Sequence, residues 1–189
     1  HPEWFGGDLA NWYKTLESAV DAIHALDTVH PVSSAHGEIP DSLALYYGRK
    51  LDVWGFNVYR WDAPASFITD WRRISEKPFY FAELGSDSYM TTAKDTLAMG
   101  VNEHAQAIAV GHIIDELLPL KKEFAGITLF SFTDGWWKAG NPEKQDVGGW
   151  APNSSGVPYD GSPNEEYWGI VNIDRTKKKA FDTVKARFK

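Results

Sequence analysis

Four short extended runs, each followed by a stretch of helical periodicity, constrain this chain more than any other feature. The runs fall at 30–35, 52–59, 78–83 and 126–132. Between and around them, apolar residues recur at three- and four-residue spacing, the mark of helices with one buried face. Leu9, Trp12, Tyr13, Leu16, Val20, Ile23 and Leu26 predict the first helix. A second is expected from 42 to about 49, with Asp41 or Ser42 as its cap. A third spans 65–75 with Phe67, Ile68, Trp71 and Ile74 on one face. A fourth spans 102–124, with Ala105, Ile108, Ala109, His112 and Ile113 buried, and the last covers 177–187. Strands buried on both faces and alternating with helices predict an α/β fold with a parallel sheet.

A doubly wound sheet and a (β/α) barrel both satisfy that alternation. No glycine-rich phosphate loop follows any strand, which counts against a nucleotide-binding doubly wound fold. The residues able to do chemistry sit just after the strands: His36 and Glu38, Asn57 and Tyr59, Glu83, then Asp134, Trp136 and Trp137. Barrel enzymes build their sites at that C-terminal rim. A complete barrel has eight units over about 250 residues; four are present here.

Composition removes several function classes. A net charge of −7 argues against nucleic acid as a partner. No apolar run approaches the roughly 18 residues of a membrane span. Cysteine is absent, so disulfides and thiolate metal sites are excluded. No His/Asp/Glu spacing suggests a catalytic metal, and no cofactor is expected. No Gly-x-Ser-x-Gly elbow is present for an acyl hydrolase. The basic residues 175–179 are expected to be the solvated start of the last helix. Nine Trp, eight Tyr and ten Phe are numerous for a core of this size. They fit either an aromatic-lined sugar cleft or a Trp-rich core. The stretch 133–166 is long and aperiodic, the kind of loop that is usually functional or mobile.

Glu83 closes an apolar strand, where a side chain is delivered into a cleft. Retaining glycoside hydrolysis needs a carboxylate in such a place. The bland alternative is a strand-end carboxylate in a salt bridge. Around it the sequence resembles the barrel domain of clan A glycoside hydrolases, family 2-like enzymes in particular. Asp52-Val53-Trp54-Gly55-Phe56-Asn57-Val58-Tyr59-Arg60 is similar to their sixth strand. Lys77-Pro78-Phe79-Tyr80-Phe81-Ala82-Glu83-Leu84-Gly85 resembles the seventh, which ends on the nucleophile. Leu129-Phe130-Ser131-Phe132-Thr133-Asp134-Gly135-Trp136-Trp137-Lys138 resembles the eighth, and His30-Pro31-Val32 the fifth. Glu166-Tyr167-Trp168-Gly169-Ile170-Val171 is similar to the segment that leads into the last barrel helix.

The resemblance implies the C-terminal half of a TIM barrel, one partial domain over residues 1–189 from the fourth helix to the eighth. It implies Glu83 as nucleophile, with Tyr59, Trp136, Trp137, Asn57, His36, Glu38 and Asp134 contacting substrate. That substrate would be a β-linked oligo- or polysaccharide, met in a secreted or periplasmic setting. The family's acid/base is the Glu of an Asn-Glu pair ending the fourth strand, and no pair here stands in that place. Asn102-Glu103 heads a helix, Asn164-Glu165 lies in the late loop, and Glu3 falls past the strand end. Alone, the chain is therefore expected to hydrolyse little. With two raw sheet edges and an open apolar face, it is expected to seek the missing half-barrel or another copy of itself. A non-catalytic carbohydrate-binding fragment is the alternative.

Overall fold

The computed structural model describes residues 6–60, 62–149 and 160–188. Its frame is one four-stranded parallel sheet in the order β1-β2-β3-β6. The strands are β1 (Ser33–His36), β2 (Val53–Asn57), β3 (Phe79–Leu84) and β6 (Ile127–Leu129), after α1 (Leu9–Leu26). They alternate with α2 (Ser42–Tyr47), α3 (Ser66–Arg72), α4 (Glu103–Leu117) and α5 (Lys179–Arg187). The sheet ends at β1 on one side and β6 on the other. The expected α/β order is therefore present, as an open parallel arc.

Local chemistry explains the element ends. Asp8 caps α1 through the Ala10 N–H, Asp41 caps α2 through Ala44, and Asn102 caps α4 through Ala105. Helix α4 stops at Leu117 instead of 124, because Pro119 cannot continue it and a short 3₁₀ turn follows. Its buried stripe is Ala105, Gln106, Ala109, Val110, Ile113, Ile114 and Leu117. Ile108 and His112, expected inside, are exposed, as is Ile74, which lies two residues past the end of α3. A small antiparallel pair, β4 (Tyr89–Met90) and β5 (Gly100–Val101), was not foreseen.

The core lies between the sheet and its helices. Trp54, Phe56 and Val58 from β2 and its continuation interlock there with Phe67 and Trp71 of α3 and Phe79 and Phe81 of β3. All seven are buried to within about a percent of fully covered. The ring centroids of Phe56 lie 4.8 Å from Phe67 and 4.9 Å from Trp71. Among the described residues, part of the aromatic excess is therefore core packing and not cleft lining. Such rings contribute area and edge-to-face contacts together.

The other face of the sheet differs from expectation. Strand alternation and register place Ser33, Ala35, Val53, Gly55, Asn57, Tyr80, Ala82 and Thr128 there. This surface is mixed: Ala35, Val53, Gly55 and Ala82 alternate with Ser33, Asn57, Tyr80 and Thr128, and none of the large apolar rings of the core reaches it. Tyr80 lies flat across Gly55, where a Cβ would come within 2.9 Å of its ring and hydroxyl, and its hydroxyl is 3.3 Å from Ser33 Oγ.

Candidate active site around Glu83

The position of Glu83 depends on an irregularity in β3. Phe79 and Phe81 both point into the aromatic core, so strict alternation would drive residue 83 there too. Instead the pairing skips Ala82: Phe56 is opposite Phe81, but Asn57 is opposite Glu83. The register against β6 shifts over the same residues. This bulge turns Leu84 into the core and Glu83 onto the open face, beside Asn57. One inserted residue thus separates a buried, unpaired charge from a carboxylate presented at the strand's C-terminal end.

Tyr59 follows β2 on the same side and donates its hydroxyl to Glu83 Oε2 at 2.5 Å. Burial pushes the Tyr59 phenol well above its ordinary range, and the hydrogen bond and charge of Glu83 push it further, with a smaller contribution from Glu165. The phenol is therefore a fixed proton donor that holds one carboxylate oxygen and leaves the other. Among the described residues no ion pair engages Glu83. Asn57 adds a buried Oδ1 without a hydrogen-bond partner among the described residues, an acceptor suited to a ligand hydroxyl or amine.

The aromatic surroundings are not the ones expected. Trp168 packs edge-on against Tyr59 at 5.0 Å and against Phe130 at 6.0 Å. Phe130 donates its N–H to the Leu84 carbonyl, directly beside the strand end that carries Glu83. A Cβ on Gly85 would collide with the Phe130 carbonyl, so this close approach requires glycine. Trp137 is 72% exposed farther along the loop, and Trp136 is half-buried with its Nε1 unpartnered among the described residues. Among the described residues, these contacts bring the Phe130 and Trp168 rings to the end of β3 that carries Glu83. Their signal was available in the sequence as the aromatic ending β6 and the Trp-Gly pair after the loop.

Three expected ligands are placed elsewhere. His36 turns toward the helices, its ring 4.8 Å from Trp54 and 6.3 Å from Tyr13, and burial lowers its pKa. It alternates onto the core face, so it does not line the open side. Glu38 is held by Arg60 at 2.7 Å, and Arg60 also binds Asp70. Asp134 is buried, with its Oδ1 accepting from Lys178 Nζ at 2.6 Å and from the Gly169 N–H at 2.9 Å. Its Oδ2 accepts from Gln145. Desolvation pushes Asp134 up and Lys178 down, each opposed by the other's charge. Lys178, expected to be solvated, is in fact the buried partner. It also donates to Ser88 Oγ at 3.0 Å and the Tyr167 carbonyl at 3.3 Å. Gln106 joins them through the Ser86 and Gly169 carbonyls. This network fastens residues 86–88, just past Glu83, to residues 167–169, which carry the Trp168 ring.

The late loop is anchored, not free, over its described parts. Glu166 accepts from the N–H groups of Ala139 and Asp146, and Asn164 binds Gly148, Tyr89 and Thr91. Glu3 lies outside the described residues.

No family model and no curated protein matches the sequence. Solved structures do match the fold. A GH2 β-galacturonidase from Eisenbergiella tayi bound to glycerol aligns at TM-score 0.66 and 19% identity, over 94% of this chain and 30% of that one. A β-glucuronidase from Bifidobacterium dentium aligns at TM-score 0.62 and 21% identity, over 94% and 27%. A β-D-glucuronidase from Dictyoglomus thermophilum gives 0.64 and 15%, over 94% and 29%. At these identities the likeness is one of fold, shared with part of GH2 glycosidases. The chain spans less than a third of the length of each of these proteins.

Proposed function

We propose that this chain carries the nucleophile of a retaining β-glycosidase acting on a β-linked oligo- or polysaccharide. One observation supports this most: a bulge lifts Glu83 out of the aromatic core and sets it beside Asn57, with Tyr59 donating to one oxygen. The other oxygen would attack the anomeric carbon, forming a glycosyl ester as the bond to the leaving oxygen breaks. Tyr59, kept protonated by burial, would hold the carboxylate in line and donate again when the ester is hydrolysed. Phe130 and Trp168 would pack against the sugar's C–H face.

The leaving oxygen needs a proton from a second carboxyl about 5–5.5 Å from the first. Glu38 and Asp134 are committed to Arg60 and Lys178, so we assign that role to a further half-barrel seated along the edges of β1 and β6. That half would come from the missing portion of such a barrel or from a second copy of this chain. General acid catalysis is worth about 10²–10⁴-fold, so the isolated chain should turn over unactivated glycosides slowly.

Glu83→Gln tests the proposal. In a preparation that turns over an aryl β-glycoside, the variant should lose activity to background while retaining sugar affinity in calorimetry. Unchanged turnover would remove Glu83 from the chemistry. A wild-type chain that binds sugar but never turns over, even when its edges are paired, would favour a binding fragment.

A further inference from the structure

Asp134 is the centre of the buried network behind the site, and both of its oxygens face protein donors. Oδ1 accepts from Lys178 Nζ at 2.6 Å and from the Gly169 N–H at 2.9 Å, while Oδ2 accepts from Gln145 Nε2 at 3.0 Å. The Asp134 and Lys178 side chains are 1% and 2% exposed. Their backbones are gripped as well. The Asp134 N–H donates to the Val171 carbonyl at 3.1 Å, and the Lys178 N–H to the Ile170 carbonyl at 3.1 Å. A Cβ on Gly169 would fall 2.1 Å from the Asp134 nitrogen, so the chain passes Asp134 with no room for a side chain.

What this clamp fixes is Trp168. Both of its neighbours in the chain belong to the network: the Tyr167 carbonyl accepts from Lys178 at 3.3 Å and from Ser88 Oγ at 3.1 Å, and Gly169 donates to Asp134. Trp168 itself accepts from the Ser131 N–H at 3.0 Å and donates its indole N–H to the Pro163 carbonyl. Its ring meets that of Tyr59 edge-on at 5.0 Å, and Tyr59 donates to Glu83 Oε2 at 2.5 Å. From Asp134 to Glu83, every step is a hydrogen bond, a chain neighbour or a ring contact.

We propose that Asp134, paired with Lys178, is a positioning residue for Glu83: it seats Trp168 against Tyr59 and so aims the phenol at the carboxylate. The inference rests on the glycosidase proposal and adds to it a residue that does not touch sugar. A hydroxyl hydrogen bond weakens steeply as its angle and distance drift. Tyr59 follows the end of β2, so the wall on one side of its ring decides how well its hydroxyl stays on Glu83. Hydrogen bonds to a buried charge fix direction as well as distance, which an apolar contact at residue 169 would not do.

The test uses the full chain with the 2,4-dinitrophenyl 2-deoxy-2-fluoro β-glycosides of glucose, galactose and glucuronic acid. Dinitrophenolate leaves with the bonding electron pair as the Glu83 carboxylate bonds to C1, so no acid is needed, and the adduct is followed by intact mass. Rate constants are referred to the folded fraction, measured by circular dichroism, so a merely weakened fold leaves them unchanged. With the probe that labels the wild type fastest, Asp134→Asn should slow labelling by about 10-fold, within the loss that removal of the Tyr59 hydroxyl causes. In a Tyr59→Phe background the same substitution should change the constant by less than about 2-fold, because its route to Glu83 is already cut. If Asp134→Asn does not fold, Lys178→Met/Asp134→Leu, which strands neither charge, gives the same two comparisons. Labelling at the wild-type rate, or slowing that multiplies in full with that of Tyr59→Phe, would overturn the inference and leave Glu83 as nucleophile. No labelling of the wild type by any probe would overturn the nucleophile and this inference with it.

Discussion

The two faces of the parallel sheet are built to different rules. The helix-facing side is a continuous aromatic layer in which Trp54, Phe56, Trp71, Phe79 and Phe81 are fully enclosed. The opposite side presents Ser33, Gly55, Asn57, Tyr80 and Thr128, and ends at Glu83. One face holds the fold together; the other offers room and hydrogen-bonding groups. The bulge at Ala82 is the point where β3 passes a residue from one set of rules to the other. Stability and chemistry are therefore separable in this molecule, and substitutions on the two faces should fail in different ways.

The largest stability effect should come from the aromatic layer. Phe81→Ala removes a ring from a close-packed core and should cost about 3–5 kcal/mol, measured by denaturant unfolding. A loss below about 1 kcal/mol would mean that this layer is not the core. Next comes the polar network behind the site. Lys178→Met strands the Asp134 carboxylate in a buried position and should also cost about 3–5 kcal/mol. Adding Asp134→Leu should restore part of it, since no charge is then left alone, though Gly169 and Gln145 still lose an acceptor.

On the open face the same measurement should barely move. Thr128→Ser should change stability by no more than about 0.5 kcal/mol. Tyr59→Phe should instead affect reactivity, slowing covalent capture at Glu83 by about 10- to 100-fold through loss of one charge-assisted hydrogen bond. Its pH behaviour has a definite sign. The folded value lies above the ordinary 10.0, so the stability Tyr59 contributes is whole below pH 10 and is lost as pH rises toward the folded value. The wild type should therefore lose stability relative to Tyr59→Phe only on the alkaline side.

The aromatic face was the legible one. Period-2 and period-3.6 patterns, with caps such as Asp41 and Asn102, place most elements within a few residues. What escaped depends on partners distant in sequence. Asp134 looks like any carboxylate after a strand, and only the fold brings Lys178, 44 residues later, to its Oδ1. His36 ends a strand as a rim ligand would, but its parity along β1 turns it into the core. Glu83 is expected to close its strand, and it lies at the C-terminal end of β3. Simple alternation would have buried it, because a bulge leaves no signal beyond an apolar residue, Leu84, arriving one position late. The Trp136-Trp137 pair is the more conspicuous in the sequence, whereas the fold packs Phe130 and Trp168 near the end of β3.

The central claim is that Glu83 is the carboxylate that bonds to a sugar's anomeric carbon. It is tested most directly by proteolysing the chain after reaction with an activated 2-deoxy-2-fluoro β-glycoside and sequencing the labelled peptide by mass spectrometry. The account predicts one fluoroglycosyl group, on Glu83 and absent from Glu83→Gln. A label on another carboxylate, or one that persists in that variant, would contradict it.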